Sequence, residues 1–105
     1  MDEKQVEKEA IAKNLNAPRI KPEQIDALIV GEEYHVFGGK TTVCCLTLQN
    51  GFHVTGDASA VSVENFDEQM GRKVSRVKAR AKIWPLAGYT LQQREFENEA
   101  KGPRP

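Results

Sequence analysis

Basic side chains between residues 72 and 82 are the part of this sequence most suited to binding chemistry. Six cations fall within 11 residues with no acid among them, namely Arg72, Lys73, Arg76, Lys78, Arg80 and Lys82. Because Arg72, Arg76 and Arg80 are spaced by four, they lie on one ridge of a helix. Planar guanidinium groups bind phosphate through paired hydrogen bonds. We therefore predict an anion-binding site formed by Arg72, Arg76, Arg80 and Lys82.

The charge distribution along the chain supports a second interpretation of these cations. The net charge is zero, but residues 1–70 carry 12 acids and 6 bases, whereas residues 71–105 carry 3 acids and 9 bases. Such asymmetry indicates an anionic partner, self-association of opposite faces, or internal neutralisation of one half by the other. The basic ridge is thus a binding surface, a solvated face, or the counterpart of the acidic first half.

Aromatic residues could complete a nucleotide site, because bases stack on aromatic rings. We predict Tyr89 and Trp84 for this role. Trp84 also belongs to a series of apolar residues with helical spacing, described below, so packing in the core is the alternative role for it. Tyr89 is the aromatic residue least committed to the core. Duplex nucleic acid is a less favoured ligand. Proteins that bind it are usually basic overall, whereas the pI of this sequence is about 6.7.

No catalytic or metal-binding constellation is recognisable. Cys44 and Cys45 are adjacent, which is neither a disulfide framework nor a zinc spacing. Cys45 and His53 could be neighbours on the sheet, but a metal site needs three or four ligands. The Gly38–Thr42 segment resembles the end of a phosphate-binding loop, but it lacks the upstream glycine and the following helix. We expect no catalytic residue, no metal, no cofactor and no enzyme activity.

The pattern of apolar residues predicts an α+β fold, with a small antiparallel sheet centred on a hairpin. A short helix begins at Pro22, Glu32–Val36 forms an edge strand, and residues 37–40 form a turn. Residues 41–56 form the hairpin. A three-residue loop with Gly51 left-handed pairs Leu46 with Val54, which places the apolar side chains on one face.

A long helix over residues 63–84 is predicted to pack on this sheet. Its apolar residues recur every three or four positions, at Val63, Phe66, Met70, Val74, Val77, Ala81 and Trp84. Ser62 is its predicted cap, and Pro85 is expected to end it near Ile83 or Trp84. Residues 86–96 suit either a second short helix or a strand.

The domain organisation predicted is a mobile N-terminal arm at residues 1–17, a single domain at 18–96 and a polar tail at 97–105. The arm is expected to be a frayed helix or disordered, and Asn16–Lys21 to be extended. About 80 ordered residues make a thin core, and apolar groups remain at Val43, Cys45 and residues 86–96. We therefore expect a homo-oligomer that covers them. No apolar stretch long enough to span a bilayer and no secretory signal is visible.

Four blocks of the sequence resemble a known family. They are Asn16–Glu23, Leu46–Gly56, Glu64–Asp67 with Gly71–Lys73, and Lys82–Leu91. In this order they are similar to a family of small tailed-phage and prophage proteins, known chiefly from a coliphage member and a Shigella-phage member. The resemblance covers roughly residues 16–95. It implies a phage or prophage origin and a bacterial cytoplasm, and it supplies neither an enzyme activity nor site residues.

The function expected is that of a non-enzymatic phage accessory protein acting inside the bacterial host. Its most concrete form is a counter-defence binder that sequesters a phosphate-bearing signal nucleotide, with the basic ridge on the phosphates and Tyr89 on a base. One alternative is a protein-interaction module that inhibits or redirects a host protein. Another is a nucleic-acid-binding regulatory or replication factor, for which binding to random DNA would depend strongly on salt.

Overall fold

A computed structural model describes residues 2–13 and 17–101 of the chain. The elements are α1 (Glu3–Ala12), α2 (Pro22–Leu28), β1 (Ile29–Phe37), β2 (Thr41–Leu48), β3 (His53–Ser59), a 3₁₀ turn (Val63–Asn65), α3 (Glu68–Ala81) and α4 (Ile83–Lys101). The three strands form one antiparallel sheet in the order β1-β2-β3. The predicted α+β class is confirmed. No helix in the described part is both long and apolar enough to cross a bilayer.

The hairpin has the predicted register. Leu46 pairs with Val54, and the Leu48 N–H donates to the Phe52 carbonyl at 2.8 Å. Gly51 adopts a φ of 90°, which a glycine reaches at little cost. Along β2 the side chains alternate between buried and half-buried, so one face of the sheet packs against the helices. The predicted turn at residues 37–40 and the helix starting at Pro22 are confirmed as well.

The core lies between this face of the sheet and helices α2, α3 and α4. Its buried apolar residues are Ile25, Cys44, Leu46, Leu48, Val54, Ala79 and Ile83. Phe52, the first residue after the hairpin loop, is 54% exposed because it lies at the end of the hairpin. Burial raises the pKa of the Cys44 thiol, which keeps this residue in its unreactive protonated form.

Helix α3 begins later than predicted. Residues 63–65 form a 3₁₀ turn, and the α-helix begins at Glu68 with Asp67 as its N-cap. The Asp67 carboxylate accepts a hydrogen bond from the Met70 N–H at 3.0 Å, which satisfies one of the free donors of the first turn. Ser62 caps the 3₁₀ turn without a side-chain hydrogen bond.

Small residues, and not the apolar stripe, form the face of α3 that contacts the sheet. Ser75 and Ala79 are fully buried, and Gly71 lies one turn earlier on the same face. A Cβ at Gly56 of β3 would overlap the Ser75 carbonyl oxygen and the Ala79 nitrogen. A Cβ at Gly71 would come within 2.5 Å of the Thr42 Oγ1. The helix therefore packs on β2 and β3 with almost no side chains between the two backbones.

The expectation that the apolar stripe packs on the sheet is wrong for three of its residues, whereas Trp84, at its end, packs against the core. Met70 is 58% exposed, Val74 37% and Val77 69%. On a helical wheel these three residues lie about 100 to 160° from Ser75, which faces the sheet. They therefore point away from the sheet, on the opposite side of α3 from the arginines. Close contact through the small residues turns the stripe outward.

Helix α4 resolves the ambiguity of residues 86–96, which are helical. Helix α3 ends at Ala81, and α4 begins two residues later at Ile83. Pro85 thus lies in the first turn of α4, where its missing N–H leaves no hydrogen bond unmade. The helix continues to Lys101, into the region that was predicted as a polar tail. Residues 102–105 of that tail lie outside the described residues.

The predicted N-terminal arm contains helix α1. Asp2 and Gln5 cap it reciprocally, since the Gln5 N–H donates to Asp2 Oδ1 at 2.8 Å and the Asp2 N–H donates to Gln5 Oε1 at 3.1 Å. Val6 and Ile11 are mostly exposed, and Ala10 is buried. The expected extended conformation at Asn16 lies outside the described residues.

Candidate functional site

The three arginines of the predicted ridge lie in a row on the side of α3 that faces β1. Each has a partner in the first half of the chain. The Arg72 guanidinium lies over the Tyr34 ring, 5.0 Å from its centroid. The Arg76 Nε donates to Glu32 at 3.1 Å, and the Arg80 Nε donates to Asp26 at 2.8 Å. Internal neutralisation, one of the interpretations of the charge split, accounts for this row.

Arg80 is the most completely bound of the three. Its Nη1 and Nη2 atoms donate to the two carboxylate oxygens of Glu3, at 2.6 and 3.0 Å. With Asp26 on Nε and the Pro22 carbonyl near Nη2 at 3.3 Å, all three guanidinium nitrogens are engaged. The side chain is only 17% exposed. The Glu3 hydrogen bonds raise the pKa of Arg80, so this charge is permanent.

Trp84 completes the binding of the Glu3 carboxylate. Its indole Nε1 donates to Glu3 Oε2 at 3.0 Å, so one carboxylate receives three hydrogen bonds from two side chains. The hydrogen bonds from Arg80, more than its charge, lower the pKa of Glu3, and the Trp84 indole lowers it further. The structure therefore brings together Arg80 and Trp84, two of the residues predicted for the ligand site, around an anionic group.

Among the described residues, two ion pairs join helix α1 to the rest of the protein. Besides Glu3 with Arg80, the Glu7 carboxylate accepts from Arg19 at 2.7 Å, and this hydrogen bond lowers the pKa of Glu7. The burial of Ala10 is the apolar part of the attachment. Ion pairs between partly exposed groups are weakened by salt and contribute little to stability.

Arg72 and Arg76 are more accessible than Arg80. The Arg76 side chain is 36% exposed, and that of Arg72, which also pairs with Glu68 at 3.1 Å, is 52% exposed. Hydrogen bonds from Tyr34 and then from Arg76 lower the pKa of Glu32. These two arginines could accept a second anion without leaving their present partners, since a guanidinium carries five donors.

Tyr89 and Lys82 lie apart from this arrangement. Lys82 is the exposed C-cap of α3. Tyr89 is 72% exposed and lines a cleft of about 700 Å³ between α2, the hairpin loop and α4, together with Phe52, Leu86 and Arg94. None of the three ridge arginines lines this cleft. The structure thus does not place Tyr89 where it could stack on a base held at Arg80.

The cysteines and histidines form no candidate metal centre. Cys44 is buried and Cys45 half-buried, and both are free thiols. Cys45 faces Thr55 across the strands, and His53 faces Thr47. Within residues 2–13 and 17–101, no three of His, Cys, Asp or Glu are grouped closely enough to hold a metal ion.

The sequence interpretation did not identify the residues that partner the arginines. Asp26 and Glu32 were not singled out as partners, and Glu3 was assigned to a mobile arm. The acidic excess of the first half was the only signal for them, and it specifies a sign of charge without specifying positions. Glu3 and Arg80 are 77 residues apart, so no local spacing rule could pair them.

Comparison with known proteins connects this chain to bacteriophage. The family model described as "Phage protein (N4 Gp49/phage Sf6 gene 66) family" matches residues 20–95. No curated protein and no solved structure gives a match. The matched span contains the whole sheet, α3 and most of α4, and it leaves α1 outside. The chain therefore belongs to the N4 Gp49/phage Sf6 gene 66 family of phage proteins, as the resemblance of its four sequence blocks predicted.

Proposed function

We propose that this phage protein is a non-enzymatic accessory protein that binds a phosphate-bearing nucleotide in the cytoplasm of the bacterial host. By holding a signal nucleotide it would keep that signal from a host defence system. The observation that carries the proposal is the binding of one carboxylate by Arg80 and Trp84 with three hydrogen bonds. A guanidinium that donates two hydrogen bonds, together with a further N–H donor, also suits the oxygens of a phosphate group.

The Glu3 carboxylate occupies the position that a phosphate would take. A phosphate carries more charge and more acceptor oxygens than a carboxylate, so it can compete for the same donors. In this proposal helix α1 leaves at moderate cost, because Ala10 is its one buried residue and its ion pairs through Glu3 and Glu7 are partly exposed. Arg76 lies one turn from Arg80 on the same ridge and can contact a second phosphate. In this proposal, nucleotide binding displaces α1.

The proposal is tested by titrating the full chain with pyrophosphate and a panel of nucleoside phosphates and cyclic nucleotides, using isothermal calorimetry. Glu3→Gln removes the internal competitor and keeps Arg80, so at least one probe should bind about tenfold more tightly. Arg80→Gln should abolish that binding. Arg94→Gln is the matched control, because Arg94 is an arginine of the α2–α4 cleft, away from the ridge.

Native mass spectrometry of protein purified from bacteria checks the same site without a chosen probe. A retained nucleotide-sized mass, with matching ultraviolet absorbance, supports the proposal. The nucleotide recovered after heat denaturation should be chemically unchanged, since sequestration consumes nothing. The proposal fails if neither the wild type nor Glu3→Gln binds any probe, or if Arg80→Gln binds as well as the wild type.

A second candidate is an interaction module for a host protein. The observation that favours it is the cleft beside α4, where Phe52, Leu86 and Tyr89 expose apolar surface. Aromatic residues around an apolar cleft are common at protein interfaces. A pull-down from host lysate with the wild type and with Tyr89→Ser tests this candidate. One host protein that Tyr89→Ser loses and Arg80→Gln retains would favour the module over the nucleotide binder.

A further inference from the structure

The cleft between α2, the hairpin loop and α4 reaches the core of the protein. Two core residues line it, namely Ile83, which is fully buried, and Leu48, which is 6% exposed. Phe52, Leu86 and Tyr89 add more accessible apolar surface. The volume of about 700 Å³ lies within the range of cavities that hold small organic ligands. The cleft therefore offers extensive apolar contact to a molecule of that size.

The charged residues that line this cleft, among those the structure describes, are both arginines. They are Arg19, which precedes α2, and Arg94 of α4, and no aspartate or glutamate lines the cleft with them. Arg19 donates to Glu7 at 2.7 Å. Arg94, in contrast to the arginines of α3, makes no hydrogen bond or ion pair with a described residue. A guanidinium without an internal carboxylate, beside apolar surface, suits an anion whose remaining part is apolar.

The walls of the cleft are held in place by contacts within the protein. The Gln49 N–H donates to the Leu28 carbonyl, and Gln49 Nε2 donates to the Ala27 carbonyl, both at 2.9 Å. These two hydrogen bonds fix the hairpin loop to the end of α2. On the α4 side, Ala87 packs against the core. The cleft is thus formed before any ligand arrives, as most small-molecule sites are.

We propose that this cleft binds a small amphipathic anion, with its apolar body against Phe52 and Leu86 and its negative group on Arg94. Arg94 follows Ala87 by seven residues, so it lies on the same face of α4, about 10 Å further along the helix axis. That separation fits a two-ring aromatic or a medium-chain aliphatic molecule that carries one carboxylate, sulfonate or phosphate.

This site is separate from the nucleotide site proposed above. None of Arg72, Arg76 and Arg80 lines the cleft, so either proposal can fail without the other. A host-protein segment is the competing occupant of the cleft. A standard protein interface needs about 800 Å² on each partner, whereas a small ligand needs only the cleft itself. The volume and the unpaired Arg94 therefore favour the small anion.

Fluorescence titration of the full chain with two dyes tests this site. The dye 8-anilinonaphthalene-1-sulfonate combines an apolar aromatic body with one sulfonate, and N-phenyl-1-naphthylamine is the same molecule without the sulfonate. Both dyes should bind the wild type. Arg94→Gln should weaken binding of the sulfonate dye about tenfold, because it removes a charged donor, and should leave the affinity for the neutral dye within about twofold.

Thr90→Trp provides a second, independent variant. Thr90 lines the cleft, and its hydroxyl donates to the Leu86 carbonyl of the same helix at 2.8 Å, so its loss breaks no contact between elements and the fold should persist. An indole ring in the cleft should weaken binding of both dyes at least about tenfold. Circular dichroism checks that the variants are folded.

Two substitutions on α3 control for dye that binds elsewhere. Val77→Ser removes exposed apolar surface and Lys73→Gln removes an exposed cation, and neither residue lines the cleft. Both variants should bind both dyes as the wild type does.

Four results would overturn the proposal. One is an Arg94→Gln variant that binds the sulfonate dye as tightly as the wild type, and another is a Val77→Ser variant that loses both dyes. A third is loss of dye binding as the protein concentration rises, which would show that a second copy fills the cleft. The fourth is a wild type that binds neither dye but captures a host protein through Tyr89, which would assign the cleft to that protein.

Discussion

The two sides of helix α3 differ in a way opposite to what their residue types suggest. On one side Arg80 is only 17% exposed, because acidic groups of α1 and α2 pair with it. On the other side Val77 is 69% exposed. A charged ridge is normally the solvated face of a helix, and an apolar stripe is normally its buried face. Here the cations find partners within the chain, whereas Met70 and Val77 remain more than half exposed.

The small residues between these two sides explain the reversal. Gly56 on β3, with Ser75 and Ala79 on α3, lets the two backbones come into contact. At that distance there is no room for large side chains under the helix, so they are displaced to its sides. The side that faces β1 receives the long arginines, whose apolar stems cover the sheet while their charged groups reach carboxylates. The position of the glycine thus determines which residues are buried.

The largest effect on stability is expected from a substitution at the contact between Gly56 and α3. Gly56→Ala places a Cβ against the Ser75 carbonyl and the Ala79 nitrogen, both of which are backbone atoms that cannot move independently. We expect the free energy of unfolding to fall by about 3 kcal/mol, at the upper end of overpacking effects. Urea denaturation followed by circular dichroism measures it.

Gly88→Ala is the matched control for that substitution. A Cβ at Gly88 meets nothing within 4 Å, and the residue lies in the interior of α4. The same added methyl group should stabilise the protein by about 0.5 to 1 kcal/mol, because alanine favours helix. Equal effects of the two substitutions would show that α3 does not lie in backbone contact with β3.

Substitutions on the arginine side of α3 are expected to have the next largest effect on stability. Arg80→Gln leaves Glu3 and Asp26 without a cation, and the free energy of unfolding should fall by about 2 kcal/mol. Arg72→Gln, on the same ridge, should cost only about 0.3 kcal/mol, because its ion pair with Glu68 is exposed and local. Thermal unfolding of both variants measures how much each substitution lowers the free energy of unfolding, and therefore the ratio of the two costs. A similar cost for both would mean that the Glu3–Arg80 pair contributes no more than a surface pair.

Sequence reasoning predicted the sheet more accurately than the helix that packs on it. The register of the hairpin followed because Cys44, Leu46 and Val54 must share a face, and period-two alternation allows no other solution. The orientation of α3 could not follow from its stripe, since hydrophobicity alone assigns the apolar side to the core. Gly56 in a strand and Gly71 in a helix were the available signals, because an interior glycine often marks close backbone approach.

The sequence predicted which cations form the candidate site, but it did not predict which residues those cations contact. The spacing of Arg76 and Arg80 placed them correctly on one ridge, because helical periodicity is local. The pairing with Glu3 depends on the path of the whole chain, which brings α1 beside the start of α4. Tyr89 lies on α4, a helix separate from the one that carries the ridge, so the spacing within α3 could not place it.

A smaller effect is expected from acid. Hydrogen bonds lower the pKa values of Glu3, Glu7 and Glu32 in the folded protein, so their contributions to stability are present above the unfolded pKa. They are lost as pH falls through the lowered folded values, and the attachment of α1 should weaken from about pH 5 downward. Trp84 fluorescence, which senses the loss of the Glu3 hydrogen bond, follows this change. In Glu3→Gln the fluorescence should vary less over the same range, whereas an unchanged profile would contradict the assignment.

The exposed side should show the smallest effect on the stability of the monomer. Val77→Ser removes apolar surface that is already in water, and in dilute protein the free energy of unfolding should change by less than about 0.5 kcal/mol. Val54→Ser is the same substitution at a residue that is 5% exposed, and it should cost about 2 kcal/mol, since it replaces buried methyl groups with a hydroxyl.

Urea denaturation at low and high protein concentration separates two explanations for the apolar stripe. A Val77→Ser cost that grows with concentration indicates that a second copy covers the stripe. A large cost at every concentration would mean that Val77 is buried within the monomer, and that the two sides of α3 do not differ as described.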